Sequence, residues 1–216
     1  MTPDRSRGFI AAPGYRFILA GVVLIFLGVI TGWQVLTVLG IVSAAFFGYF
    51  FRDPEREIPA DPWAVVSPAD GKVVAVDEVP AFQHYPESAK RVAIFMNVFD
   101  VHVNRAPVAG TVMAIAHQPG RFKAAFREAA ALQNEQRLTL LDSNAGHLVL
   151  VVQIAGLLAR RIVGWVQRGQ SLGRGERLGM ICFGSRVDLY LPRDCHILAK
   201  VGDRLKAGSS IVGRWT

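Results

Sequence analysis

From Phe17 to Phe51 the chain runs for 35 residues without an Asp, Glu, Lys, Arg or His, and that run decides what its first quarter can become. A spanning helix takes about 20 apolar residues, and two spans with a turn take roughly 40. Gly32-Trp33-Gln34 divides the run into 17–30 and 35–51, which predicts a short helical hairpin dipping into one leaflet or crossing a thin bilayer. Arg5, Arg7 and Arg16 precede it, while Arg52 and Arg56 follow. Positive charge at both flanks places both ends on the cytoplasmic face of the cell membrane. A cleaved signal peptide, with Ser43-Ala44-Ala45 as small residues, is the competing reading, but its apolar region would be about twice the usual length.

The remainder reads as an ordinary water-facing domain. Residues 52–63 form a charged linker broken by Pro54, Pro59 and Pro62, which a helix cannot cross, so residues 1–51 are a membrane-associated segment and 64–216 a separate domain. Beyond the linker, β-branched runs at 72–76, 92–99, 111–117, 148–155 and 162–165 are separated by glycine and proline. That spacing predicts a mainly β domain of the α+β class with antiparallel strands. Residues 124–136, rich in Ala, Glu, Gln and Arg, form the best candidate for a helix after the linker. The net charge of +7 comes without a basic cluster interleaved with aromatics, so an anionic membrane, not nucleic acid, is the expected partner. Cys182 and Cys195 fit a reducing compartment and give no metal-ligand pattern.

Gly184-Ser185 would pass as a turn anywhere else. Here it keeps company with three stretches of suggestive content, Ser67-Pro68-Ala69-Asp70-Gly71 and Asp100-Val101-His102-Val103-Asn104-Arg105-Ala106-Pro107 before it and Val201-Gly202-Asp203-Arg204-Leu205-Lys206-Ala207-Gly208 after it. With the apolar amino terminus and the short tail after Ser185, they resemble the compact bacterial and archaeal form of the phosphatidylserine decarboxylase family over nearly the whole chain. The resemblance implies that the chain cuts itself between Gly184 and Ser185. An N-to-O acyl shift followed by β-elimination would leave a β chain of residues 1–184 and an α chain of 185–216. Ser185 would then become a pyruvoyl group, making a diffusible cofactor unnecessary, and phosphatidylserine would lose carbon dioxide to give phosphatidylethanolamine.

On the same resemblance His102 is the general acid that protonates the substrate carbon, a task suited to a group titrating near neutrality. An extended strand would put Asp100, His102 and Asn104 on one face. Asp70 matches an aspartate implied in self-cleavage through a histidine base. The family's longer members carry His-x-x-His, whereas this chain has Arg105 at the second place, and arginine cannot serve as a base. Either His102 takes both tasks, or cleavage relies on strain and oxyanion stabilisation with Arg105 as an electrostatic aid. His84, His117, His147 and His196 read as surface or structural residues.

The tail from Val187 also resembles a barrel-sandwich hybrid, the fold of biotinyl and lipoyl carriers. A membrane-tethered carrier or adaptor is therefore the non-enzymatic alternative, although no Met-Lys-Met or Asp-Lys-Ala acceptor occurs in the sequence. An oligomer is open on either reading.

Overall fold

The computed structural model describes residues 8–122, 133–156, 161–182 and 184–215. Two compact units divide the chain, Met1–Glu55 and Arg56–Thr216, so the boundary falls inside the expected linker.

In the first unit a 3-10 turn (Ala12–Gly14) leads into α1 (Tyr15–Thr31), and α2 (Gln34–Phe50) returns after Gly32-Trp33. The helices pack backbone to backbone through glycine. A Cβ on Gly28 would lie 2.5 Å from the Thr37 amide nitrogen, and one on Gly40 would lie 2.6 Å from that of Ile25, the small-residue packing that suits helices in lipid. The two ends are tied together as well. Ala11 N–H donates to Phe51 O and Asp53 N–H to Phe9 O, each at 2.8 Å. Arg52 lies 3.9 Å over the Tyr49 ring. The 20 residues Ala12–Thr31, with mean hydropathy 2.1, are long and apolar enough to cross a membrane.

The second unit is built almost wholly of antiparallel strands. In chain order these are β1 (Ala64–Val66), β2 (Gly71–Val79), β3 (Ala89–Met96), β4 (Val103–Arg105), β5 (Gly110–Gln118), β6 (Gln136–Ser143) and β7 (Leu148–Ala155), then β8 (Ile162–Gly164), β9 (Ser171–Leu172), β10 (Arg177–Ile181), β11 (Ser185–Pro192), β12 (His196–Ile197), β13 (Arg204–Leu205) and β14 (Ile211–Arg214). The largest sheet has the order β13-β2-β3-β11-β7-β6-β5-β9, beside two smaller sheets, β4-β10-β8 and β1-β14-β12.

β11 sits at the centre of the large sheet, paired with β3 and β7. Its alternation sends Val187, Leu189 and Leu191 into the main core, together with Ser185, which is 0% exposed. Arg186, Asp188 and Tyr190 therefore face the other side. There the Arg186 guanidinium donates from two nitrogens to Asp188, and Arg91 bridges onward to Asp77. Burial pushes the Tyr190 phenol up to about 12, with the Asp188 charge adding to the effect.

The five expected strand regions all hold strands, β7 with the expected ends and the other four with revised ones. β3 stops at Met96, because 97–100 form a turn: Asn97 N–H donates to the Asp100 carboxylate and Phe99 N–H to Asn97 Oδ1. The candidate helix at 124–136 lies mostly outside the described residues. At its end Asn134 bridges to Arg121 and Gln136 opens β6, where pairing with β7 outweighs local helix propensity.

Candidate active site

The chain leaves the small sheet at the end of β10 and enters the large one at Ser185, so Gly184 and Ser185 lie at a crossing between sheets. Gly184 has φ +61, and a Cβ there would meet nothing within 4 Å. What glycine supplies at 184 is thus a left-handed backbone, not room. Ser185 pairs across the sheet with Met96 on one side and Ala155 on the other. Among the described residues its hydroxyl has one acceptor, the Met96 thioether, at 3.5 Å. Sulfur is a weak acceptor, so the hydroxyl proton is only weakly engaged.

His102 is also 0% exposed. Its Nδ1 lies 2.9 Å from Asp100 O, and because a carbonyl can only accept, Nδ1 carries the proton. Gly184 N–H then donates to Nε2 at 3.3 Å, which requires a lone pair there. The two contacts together define a neutral ring with its basic nitrogen beside the Gly184 amide. Ile181 N–H donating to His102 O at 3.3 Å holds this backbone along the end of β10. Asn104 Nδ2 approaches Met96 Sδ at 3.6 Å, while Asn104 Oδ1 accepts from Gln153 Nε2 at 2.8 Å. A polar chain from Gln153 through Asn104 thus reaches the sulfur that receives the serine.

The face expected to gather Asp100, His102 and Asn104 is different in detail. The strand covers only Val103–Arg105, and residues 101–105 are buried on both faces. Asp100 turns its carboxylate back to the Asn97 amide and to Arg204 at 3.6 Å, so its carbonyl, not its carboxylate, orients His102.

Asp70 belongs to an adjoining cluster. Its carboxylate accepts from Arg56 Nη2 at 3.0 and 2.9 Å and from Ala207 N–H at 2.8 Å; among the described residues His102 is not one of its partners. Around it the three sequence stretches meet. Arg105 N–H donates to Pro68 O, and Gly208 N–H to Ser67 O. Gly71, φ +146, could not be replaced, because a Cβ would fall 2.2 Å from Phe95 O. Arg105 is buried, and its Nη1 donates to Gly175 O at 3.0 Å. Arg174 donates to the carbonyls of Pro59, Asp61 and Ala64, strapping the former linker onto the β unit.

His84 accepts from Gln118 Nε2, His117 and His147 stand near Glu135 and Asp194, and His196 lies on β12. Burial pushes the Cys195 thiol up to about 12, and both cysteines are buried thiols outside any disulfide. Met96, Gln153 and Arg56 were not legible as site residues. The signal for Gln153 was a lone amide inside the apolar strand Leu148–Ala155. Nothing local distinguished Met96, which arrives by register alone.

Residues 43–213 match the family model described as phosphatidylserine decarboxylase. A phosphatidylserine decarboxylase proenzyme from Symbiobacterium thermophilum is 46% identical over 211 residues, 98% of each chain. Proteins of the same name from Magnetococcus marinus and Desulfotalea psychrophila are 45% and 43% identical over 213 and 205 residues, covering 96% and 95% of this chain and 95% and 96% of theirs. With the buried serine at a sheet crossing, this similarity defines the class as a carboxy-lyase, which displaces the carrier reading. The chain belongs to the phosphatidylserine decarboxylase family.

Proposed function

We propose that the chain cuts itself between Gly184 and Ser185 and then decarboxylates phosphatidylserine to phosphatidylethanolamine at the cytoplasmic face of the cell membrane. The observation that carries the reading is the unprotonated Nε2 of His102 at 3.3 Å from the Gly184 amide, next to a buried hydroxyl whose acceptor is a thioether.

Cleavage begins when Ser185 Oγ adds to the Gly184 carbonyl carbon and the C–N bond breaks, the hydroxyl proton passing to the nitrogen to give an ester. His102 Nε2 is the nearby base, so His102 takes both tasks. Loss of the Cα proton of residue 185 then expels the Gly184 carboxylate. Water replaces the resulting enamine nitrogen, releasing ammonia and leaving a ketone at the head of β11. The left-handed Gly184 backbone favours the attack, since glycine adopts it without the steric cost of a side chain. Asp70 and Arg105 serve at one remove, by fixing the loops at 67–71, 174–176 and 207–208 behind β4.

The neighbours fit a pyruvoyl group, which is no larger than the serine it replaces and, among the described residues, would lie against the neutral Met96 thioether. It would supply a conjugated ketone that accepts the electron pair left when carbon dioxide departs. Nε2 of His102, which can take a proton from the substrate ammonium as that amine condenses, would then return it to the substrate carbon. The tied ends of the helical pair support attachment with both ends on one side of the bilayer. Ser185→Ala tests the reading: the variant should remain one chain and form no phosphatidylethanolamine, and cleavage or turnover without the hydroxyl would refute it.

A further inference from the structure

Two exposed apolar tips stand at the same end of the large sheet as Ser185. Phe99 is 65% exposed on the 97–100 turn, and Val201 is 63% exposed on the 200–203 turn. Strand register places them together. Arg204 pairs with Lys72, Lys72 with Phe95, and the next residue, Met96, with Ser185, so both turns leave the sheet where β11 enters it. Arg204 Nη1 joins them through Asp100 at 3.6 Å. Both tips are rigidly mounted. Phe99 N–H donates to Asn97 Oδ1, Lys200 N–H to Asp203 Oδ2 and Gly202 N–H to Val73 O.

Charge is arranged in a consistent way around them. Lys72, Lys200 and Arg204 are exposed. The acids of the two turns, Asp100 and Asp203, spend a carboxylate oxygen on the backbone amides of Asn97 and Lys200. The surface thus presents an aromatic and a β-branched tip inside a cationic collar, the pattern that inserts apolar groups below anionic headgroups while cations pair with them.

We propose that this rim docks the β unit directly on an anionic lipid surface, with Phe99 and Val201 inserted and Lys72, Lys200 and Arg204 against the headgroups. This rests on the functional reading above only for its purpose, which is to bring the end of the sheet that holds Ser185 to the lipid. A protein partner would be served as well by apolar tips alone; the collar of cations favours lipid.

The test uses full-length protein reconstituted in phosphatidylserine/phosphatidylcholine vesicles with brominated acyl chains. Phe99→Trp should show bromine-quenched emission beyond that of the parent protein. In parallel, Phe99→Ser should lower kcat/KM on vesicle phosphatidylserine by about tenfold, the equivalent of one aromatic insertion, yet leave turnover of a dispersed short-chain analogue unchanged. Tryptophan at 99 that stays open to aqueous acrylamide on vesicles overturns the proposal, as does its shielding only upon self-association or an equal loss on both substrates. If the parent decarboxylates neither substrate, the functional reading fails, and the quenching still decides the docking.

Discussion

At the scale of single residues, the determining feature is the pair of contacts on His102. The Asp100 carbonyl fixes the proton on Nδ1, and the Gly184 amide meets the lone pair on Nε2. A ring held in that tautomer can take a proton at Nε2 and, once protonated there, give it up again without rotating. His102→Ala should therefore slow chain cleavage by about 10²–10⁴-fold, read as the cleaved fraction over time on a denaturing gel. The few cleaved molecules should also turn over poorly per pyruvoyl group. Normal cleavage in this variant would leave the base role elsewhere, and normal turnover would make His102 structural. Buried charge sets a second expectation. Asp188 neutralises Arg186, which is 1% exposed, with Arg91 close by at 3.8 Å. Asp188→Ala takes the paired carboxylate from the buried Arg186, while Arg91 keeps Asp77, and should cost about 3–5 kcal/mol, measured as a large fall in thermal midpoint before any effect on chemistry is sought.

Among the elements, the helical pair is the most sharply constrained. Gly40 lies against the α1 backbone, whereas a Cβ on Gly48 would meet nothing within 4 Å. Gly40→Leu should destabilise the pair in detergent, seen as lost helical signal on heating, and Gly48→Leu should not. This element was plain in the sequence, since 35 uncharged residues with a Gly-Trp-Gln break allow few alternatives. The strands were legible where β-branched residues cluster, as in β7. β6 was not, because its start at Gln136 continues a stretch rich in helix formers and its identity comes from partners on other strands. The same limit applies to the site. His102, Asp70 and Ser185 stood in recognisable local motifs, but the joining of Ser185 to Met96 and of Asp70 to Arg56 depends on contacts between distant segments. No local pattern encodes those.

For the whole molecule, the position of β11 decides what cleavage does. The proposed α chain begins with a strand making eight registered pairs with β3 and six with β7, and β14 closes on β1. The two products should remain one folded body. Its stability should also fall in alkali. The folded-state thiol of Cys195 is raised from 9.0 to about 12 by burial, and a raised acid binds its proton more tightly in the folded chain. The contribution is full below about pH 9 and is lost between there and about 12. Cys195→Ala should delay the onset of alkaline unfolding, followed by the thermal midpoint from pH 8 to 11. The most direct measurement is the intact mass of the full-length protein after expression, taken under denaturing and native conditions. The account predicts two chains under denaturation, divided between Gly184 and Ser185, with the smaller one lacking a free amino terminus and bearing a ketone, and a single assembly natively. An active protein with one intact chain and an unmodified Ser185 would contradict it.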